Sequence, residues 1–283
     1  MPSFAYQTPE TLEEALSLLA AQGEEAKLIA GGTALVIMME QRLLQPAYLI
    51  GLRRLRGLSD IRFDAAGLHI GALATHRQVE LSAVVRERAP LLAETLRQVA
   101  TVRIRNMATV GGALAHADPN QDPPPALLAL AASVRIASTK GERTVALAEF
   151  FRDYYETVLA PDEMITEVLV PPLAPNTKTT YLKFLPRTAD DYATVSVAVA
   201  LRMEDGRCAE ARIALGSCGS TPVLARRAAQ LLQGGRPTPA LLREAAEAVT
   251  AEVDPIADFR GSAEYKREMA AVITRRALER ALA

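Results

Sequence analysis

The amino-acid sequence predicts an α+β protein of two domains, and three patterns support this. Apolar residues at helical spacing alternate along the chain with short runs typical of buried strands. The tight-turn signals Asp64-Ala65-Ala66-Gly67 and Asp205-Gly206 join neighbouring strands directly, which predicts antiparallel hairpins. A segment rich in Pro, Asn and Thr over 171–179 is the predicted linker, because the order after it becomes a hairpin followed by three helices.

The first fifty residues predict a helix, a strand, a glycine turn, a second helix and a final strand. Thr8 followed by Pro9 is typical of a helix start, and Gly23 is expected to end that helix. The elements expected after Gly23 are a strand over 27–30, a turn over 31–33, a helix over 34–44 and a strand near 48–50.

The stretch from residue 58 to residue 170 mixes hairpins with short helices. Thr75 is a candidate N-cap for a helix ending near Leu81. Val102-Arg103-Ile104-Arg105 alternates apolar and basic residues, which predicts a strand whose arginines face solvent or a phosphate. The other elements expected here are strands over 61–63, 68–70, 134–137, 144–147 and 164–170 and helices over 90–99 and 126–131.

Beyond the linker the sequence predicts one hairpin and three helices. The expected elements are strands over 192–202 and 207–216 and helices over 222–232, 239–251 and 262–282. A hairpin followed by helices indicates a small α+β domain.

Composition excludes several classes of protein. Lys and Arg total 32 and Asp and Glu total 33, so there is no basic excess for binding nucleic acid. Tryptophan is absent and aromatic residues make up only 5%, which disfavours stacking on single-stranded bases. Two cysteines and three widely separated histidines do not predict a metal site, since structural sites need about four clustered ligands.

The uncharged runs are short. Residues 28–39 and 123–134 are both shorter than the roughly 20 residues that a membrane helix requires. The residues Met1-Pro2-Ser3-Phe4 lack the basic and then apolar pattern of a signal peptide. The sequence therefore predicts a cytoplasmic protein without a membrane span.

The first candidate site is the glycine pair Gly31-Gly32 with Thr33, between a strand and a helix. Glycines let backbone N–H groups approach an anion closely, and the following helix adds a favourable dipole. The segment suits a pyrophosphate, although it matches neither the Rossmann pattern nor a P-loop. An ordinary strand-to-helix turn is the alternative.

The second candidate site is the stretch 106–122, which contains a second glycine pair, Gly111-Gly112, beside Thr109. Its small residues suggest a backbone lying close to a flat ligand, and His116 lies within it. Asp122 precedes three prolines and a helix, so its carboxylate either caps that helix or binds a ribose. Both glycine pairs are expected to follow strands.

A third cluster, residues 183–193, gathers a lysine, an arginine, two aspartates and a tyrosine before a strand. It is either a second wall over a ligand or a charged loop. His69 is expected to be a hydrogen-bonded strand residue, and His76, just after a helix cap, is expected to be exposed.

Together these segments resemble the flavoprotein (medium) subunit of the molybdenum hydroxylases, a group that includes aerobic carbon monoxide dehydrogenase and xanthine dehydrogenase. Ala30-Gly31-Gly32-Thr33-Ala34-Leu35 resembles the first FAD loop of that family. Residues 104–112 with Asp118-Pro119-x-x-Asp122 resemble its second loop, and Arg187-x-x-Asp190-Asp191-Tyr192 resembles its flavin-facing C-terminal segment. Three motifs in this order, over nearly the whole chain, make the resemblance specific.

The resemblance implies a two-lobed FAD-binding domain of the vanillyl-alcohol-oxidase type over 1–175, with lobes 1–57 and 58–175. A carbon monoxide dehydrogenase flavoprotein C-terminal-like domain would follow over 178–283. It places the FAD-binding residues at Lys27, Ala30, Gly31, Gly32, Thr33, Ala34, Leu35, Thr109, Val110, Gly111, Gly112, Ala113, His116, Asp122, Ile165, Lys183 and Tyr192. Ala34 and Ala113 depart from the family, which often carries polar residues there.

The resemblance also implies partners. A molybdenum-cofactor large subunit would oxidise the substrate, and a two-iron two-sulfur small subunit would relay electrons to non-covalently bound FAD here, in a dimer of heterotrimers. The external acceptor is quinone, NAD or oxygen. The alternatives are a stand-alone flavin oxidoreductase of the same fold and a nucleotide-binding module without redox activity.

Overall fold

A computed structural model gives the structure of residues 3–185, 187–188 and 190–283. Met1 and Pro2, and Pro186 and Ala189 of the third predicted cluster, lie outside the described residues. Helices and mainly antiparallel sheets share the described chain, so the predicted α+β fold class is confirmed.

The bounds of the elements are as follows. The strands are β1 (Ala5–Gln7), β2 (Ala26–Ile29), β3 (Tyr48–Gly51), β4 (Ile61–Asp64), β5 (Gly67–Gly71), β6 (Ser133–Ser138), β7 (Gly141–Ala146), β8 (Phe151–Asp153), β9 (Glu156–Thr157), β10 (Met164–Val170), β11 (Thr177–Phe184), β12 (Val195–Glu204), β13 (Arg207–Gly216) and β14 (Val223–Leu224). The helices are α1 (Leu12–Gln22), α2 (Leu35–Glu40), α3 (His76–Leu81), α4 (Ala83–Arg88), α5 (Pro90–Arg97), α6 (Val102–Met107), α7 (Val110–His116), α8 (Pro123–Ala129), α9 (Arg226–Leu232), α10 (Pro239–Ala248) and α11 (Ala263–Leu282).

The first sheet is parallel, in the order β1-β3-β2, with α1 packed on it. The helix begins later than predicted, because Thr11 rather than Thr8 caps it. The Thr11 hydroxyl accepts from the Glu14 amide, and the Glu14 carboxylate accepts from the Thr11 amide. This reciprocal capping box satisfies donors at both positions. The helix α2 ends at Glu40, four residues before its predicted end.

The second sheet is antiparallel, in the order β4-β5-β10-β6-β7. Its inner face packs against the short helices α3, α4, α5, α7 and α8 through residues such as Leu68, Ile70 and Val134. The predicted strand at Val102 to Arg105 is wrong: these residues begin α6, whose N-cap is Thr101. The Thr101 hydroxyl accepts from the Ile104 amide. This N-cap stabilises a helix where the alternation of apolar and basic residues predicted a strand.

The third sheet is antiparallel, in the order β11-β12-β13-β14, and both of its faces are covered. Val197 and Val199 face α9, α10 and α11, whereas Ala198 faces α8 and the core of the second sheet. This explains why β12 is buried along most of its length. The predicted turn at Asp205-Gly206 is confirmed, with φ of 48° and 74°.

The predicted linker over 171–179 is too long, because β11 begins within it at Thr177. Two predicted boundaries beyond the linker are also wrong. The strand β12 begins at Val195 rather than at residue 192, and α9 begins at Arg226 rather than at residue 222. Residues 223–224 instead pair with β13 as β14, a short ladder that apolar spacing does not reveal. Among the helices of the described chain, none is long and apolar enough to cross a membrane.

Candidate functional site

The first glycine segment connects β2 to α2 and leaves its backbone donors free. Gly32 adopts a φ of 70°, a conformation that glycine reaches without strain. Within the described residues, no hydrogen bond from the amides of Gly31, Gly32, Thr33 or Ala34 is found. Successive free N–H groups at a strand-to-helix turn form a concave anion-binding site. This geometry is what a bound pyrophosphate requires.

The second glycine segment differs from its prediction, because it is the first turn of α7 and does not follow a strand. Thr109 is the N-cap, and its hydroxyl accepts from the Gly112 amide at 3.1 Å. The amides of Val110 and Gly111 donate to the carbonyls of Ala74 and Ala72, at 3.0 and 2.9 Å. These donors are therefore used inside the protein, and the segment mainly forms a platform against which the first loop lies.

The two glycine segments are in direct contact. A Cβ placed on Gly31 would lie 1.8 Å from the Met107 carbonyl oxygen, and one on Gly111 would lie 2.6 Å from the Ala72 Cβ. Neither position has room for a side chain. Glycine is thus required at both positions: Gly31 lies against Met107 and Ala108 of the second segment, and Gly111 lies against Ala72.

Asp122 does not cap α8, so that alternative is wrong. Its carboxylate instead binds two side chains of β11: Lys183 Nζ lies 2.8 Å from Oδ2, and the Tyr181 hydroxyl donates to Oδ1 at 2.5 Å. Lys183 also donates to the Gln98 carbonyl at 3.1 Å. The Lys183 and Asp122 side chains are only 1% and 4% exposed, so the pair is a fully buried link between α8, α5 and the third sheet.

Burial controls the protonation of this group. It raises the pKa of the Asp122 carboxyl above its usual value, and the adjacent Lys183 ammonium opposes that rise. Burial also raises the pKa of Tyr181 well above its usual value, and the Asp122 charge adds to the effect. Tyr181 consequently remains a hydrogen-bond donor at neutral pH.

A group of aromatic side chains lies at the end of α7. The His116 and Tyr155 rings are 5.2 Å apart, and burial lowers the pKa of His116. Asp118 accepts from the Asn120 amide and side chain, both at 2.9 Å. Tyr192 lies near this carboxylate. Burial of the Tyr192 ring and the charge of Asp118 both raise the pKa of Tyr192, so its hydroxyl stays protonated. His116 and Tyr192 are therefore brought to one end of the site.

Two other predicted residues lie apart from these contacts. Lys27 is exposed on the edge strand β2 and forms no ion pair with a described residue. Ile165 on β10 pairs with Ile136 on β6 and is 5% exposed, within the core of the second sheet. Its structural role is packing, and a flavin contact there stays a prediction.

The comparison with protein families decides the identity. Residues 2–173 match the family model described as the FAD binding domain in molybdopterin dehydrogenase. The chain belongs to this family. Residues 180–281 match the carbon monoxide dehydrogenase flavoprotein C-terminal domain. The predicted resemblance is therefore confirmed, and so is FAD as the cofactor of this oxidoreductase subunit.

Relatives from this family match along the whole chain. The carbon monoxide dehydrogenase medium chain of Hydrogenophaga pseudoflava is 36% identical over 100% of this chain and 98% of its own length. The medium chain of Afipia carboxidovorans is 37% identical, over 99% and 97%. A solved structure of the Hydrogenophaga pseudoflava enzyme lacking the Mo-pyranopterin moiety superposes with a TM-score of 0.97, covering 99% of this chain and 98% of that one.

The site residues fit the cofactor that the family carries. The free amides at 31–34 suit the pyrophosphate, and Tyr192, 41% exposed, offers an accessible aromatic face. Thr33 adds a half-buried hydroxyl within the same loop. The family's FAD is thus matched by a set of donors that the described part of the chain does not use.

Some residues that contact the predicted site residues were missed from the sequence. Tyr181 is two positions from Lys183 on one strand, so the two side chains share a face, and this spacing was an available signal. Tyr155 and His116 are far apart in the sequence and come into contact only in the folded chain, so no local pattern indicates the contact. Gln98 contributes a backbone carbonyl, which any residue would supply.

Arg105 lies in α6, just before the second glycine segment, and its predicted exposure is wrong. Its Nε lies 3.0 Å from a Glu80 carboxylate oxygen, and its Nη1 donates to the carbonyls of Val99 and Ala100. Both partners of the ion pair are nearly buried, at 12% and 7% exposed side chain. Arg105 therefore fixes α6 against α3 and is not available to a phosphate.

His76, the first residue of α3, is also buried. It is only 3% exposed, so its predicted exposure is wrong as well. Both of its ring nitrogens lack hydrogen-bond partners among the described residues. Burial lowers the pKa of His76 to about 4, and the nearby Arg105 further disfavours its protonation. The ring is therefore neutral in the folded chain at neutral pH.

We expect this histidine to make stability fall in acid. Because its folded pKa lies below that of the unfolded chain, the unfolded state binds the extra proton first, and stability decreases from about pH 6.5 toward pH 4. The free energy of unfolding should be about 2 kcal/mol lower at pH 5 than at pH 8. Urea denaturation at both pH values measures this.

The His76→Leu variant should lose most of that pH dependence. The matched variant His116→Gln should lose less of it, since the His116 ring is only partly buried. An unchanged slope in His76→Leu would assign the acid sensitivity to another group.

Proposed function

We propose that this chain is the electron-transfer subunit of a molybdenum hydroxylase. In this proposal a two-iron two-sulfur subunit delivers electrons to FAD bound here, and the electrons leave to an external acceptor. The observation that carries the proposal is the loop of free amides at 31–34, held against a second glycine segment within a chain of this family. The amides of this loop donate to no described residue, and they are suited to donate to a pyrophosphate.

The proposed roles of the site residues follow from their positions. The amides and hydroxyl of residues 30–35 would bind the pyrophosphate, and the exposed Gly112 and the Thr109 hydroxyl would border it. Asp122 and Lys183 bind each other in a buried pair, so their contact with the cofactor stays a prediction, and Tyr192 would lie against the ring system. Val110, Gly111 and Ala113 would act by packing, and Lys27, His116 and Ile165 remain proposed contacts.

The chain's own work would be to bind, orient and tune. When bound, FAD supplies redox chemistry that no side chain here can perform. The free amides would stabilise negative charge on the cofactor. Tyr192 would cover one side of the ring system, and its protonated hydroxyl would hold a proton at that position.

The wider organisation is also a proposal. We infer an FAD-binding domain over 1–175, with lobes 1–57 and 58–175, and a C-terminal domain over 178–283. A molybdenum-cofactor large subunit and an iron–sulfur small subunit would complete a heterotrimer, which would pair into a dimer. The acceptor, whether quinone, NAD or oxygen, and the cytoplasmic location stay predictions.

An absorption spectrum of the purified chain tests the cofactor directly. We expect flavin bands nearly stoichiometric with protein, and heat release should yield FAD rather than FMN, because the loop accommodates a pyrophosphate. A colourless chain should take up added FAD. A chain that stays colourless after incubation with FAD would contradict the proposal.

Co-expression separates a subunit from a stand-alone enzyme. When expressed with neighbouring molybdenum and iron–sulfur subunits, the chain should co-purify with two other chains. In that complex, the substrate should reduce the flavin. The same substrate should not reduce the flavin of this chain when the chain is purified alone. Reduction by the isolated chain would favour the stand-alone oxidoreductase.

A further inference from the structure

A tight turn of the C-terminal domain presents an arginine to Tyr192. In this turn Asp258 and Gly261 exchange two backbone hydrogen bonds, both 3.1 Å. Gly261 has a φ of 155°, and a Cβ there would lie 2.7 Å from the Tyr265 ring. The turn is therefore closely constrained, and Phe259 and Arg260 form its tip.

The Arg260 guanidinium lies between two aromatic rings. Its Cζ is 5.5 Å from the centre of the Tyr192 ring and 4.3 Å from that of Phe259. Both distances are within the range of cation–π attraction. Although Phe259 and Tyr192 are 67% and 41% exposed, the Arg260 side chain is only 11% exposed. The arginine thus fills the space behind the exposed tyrosine.

The arginine is held from behind by ion pairs. The Asp258 carboxylate accepts from the Arg260 amide at 2.8 Å and from its Nη1 at 2.9 Å. The buried Lys266 binds the same carboxylate at 2.8 Å and the Ile256 carbonyl at 3.0 Å. Two cations share one carboxylate, so the group carries surplus positive charge. The Arg260 Nε is buried without a hydrogen-bond partner among the described residues.

We propose that Arg260 is the positioning residue for Tyr192, fixing the aromatic wall of the FAD site from the C-terminal domain. The chain of contacts runs from Lys266 through Asp258 and Arg260 to the tyrosine ring. This inference rests on the proposed function, which places Tyr192 beside the flavin ring system. Arg260 acts through Tyr192 and needs no contact with the cofactor.

Fluorescence of bound FAD tests the proposal in the full-length holoprotein. An aromatic side chain stacked on a flavin quenches its fluorescence, so Tyr192→Leu should raise the emission most. Arg260→Gln should give an intermediate rise, since losing one cation–π contact shifts the ratio of stacked to unstacked tyrosine by about fivefold. Arg260→Lys keeps the charge but not the planar group, and it should fall between the wild type and Arg260→Gln.

The matched control is Arg267→Gln. Arg267 pairs with Asp254 at 3.6 Å in the same domain, and its variant should keep the wild-type emission. If Arg260→Gln also keeps the wild-type emission while Tyr192→Leu raises it, the positioning role is overturned. Should Arg260→Gln fail to fold, Arg260→Lys decides by the same comparison.

Failure of the inference and failure of the proposed function give different results. If Tyr192→Leu binds FAD stoichiometrically with unchanged emission, the tyrosine does not cover the flavin and the inference is overturned, while FAD binding stands. If the wild-type chain binds no FAD, the proposed function itself fails, and the inference fails with it.

Discussion

Lys183→Met is expected to destabilise the folded chain by about 3–5 kcal/mol, because it leaves the buried Asp122 carboxylate without its cation. The Tyr181 hydroxyl still donates to that carboxylate but supplies no charge. Removing one partner of a buried ion pair costs far more than the net contribution of the pair itself. Urea denaturation of the variant and the wild type at pH 8 gives the difference.

The cost of Lys183→Met should shrink in acid. Burial raises the pKa of Asp122, and in the wild type the Lys183 ammonium opposes that rise. In the variant this opposing charge is gone. The folded variant then binds a proton that the unfolded chain, with its ordinary carboxyl pKa, does not bind at the same pH. Stability of the variant relative to the wild type should therefore be greater at pH 5 than at pH 8.

Two further variants separate charge from packing. The double variant Asp122→Leu with Lys183→Met removes both charges, so it should be more stable than Lys183→Met alone. Tyr181→Phe deletes only one hydrogen bond and should cost about 1–2 kcal/mol with little pH dependence. A double variant no more stable than the single one would contradict the buried-charge explanation.

The sequence predicted this group in part. Lys183 and Asp122 were both assigned to the site, through the resemblance, but as separate cofactor contacts. Their contact with each other joins positions far apart in the chain, on β11 and at the start of α8, and short-range patterns do not encode it. The sequence predicted a helix over 126–131 after the three prolines, whereas α8 runs over Pro123–Ala129 and takes the prolines as its first turn. Proline has no backbone N–H, so the Asp122 carboxylate has no amide to accept from in that turn and binds Lys183 instead.

Similar reasons explain the other differences between prediction and structure. The two glycine pairs were found because paired glycines beside a threonine can mark a close approach of the backbone. What each pair approaches was not predictable: Gly31 lies against Met107 and Gly111 against Ala72. Periodicity over Val102 to Arg105 suggested a strand, but four residues fit a helix face as well, and the Thr101 cap decided.

Gly31→Ala is expected to lower the affinity for FAD by about tenfold or more. The added Cβ would lie 1.8 Å from the Met107 carbonyl oxygen and 2.5 Å from its carbon, so backbone must separate from backbone. The loop of free amides at 31–34 would then lose the platform that fixes it. Equilibrium titration of the apoprotein with FAD, followed by flavin fluorescence, measures the loss.

Gly57→Ala is the matched control for this variant. Gly57 has a φ of 79° and no atom within 4 Å of an added Cβ, so alanine there strains the backbone without a collision. Both variants should lose stability, by about 1–3 kcal/mol for the overpacked Gly31 site and about 1 kcal/mol for Gly57. Only Gly31→Ala should lose FAD affinity, because only its collision moves the amides that bind the pyrophosphate. Equal losses of affinity would mean that the loop responds to general destabilisation, and unchanged affinity in Gly31→Ala would place the pyrophosphate elsewhere.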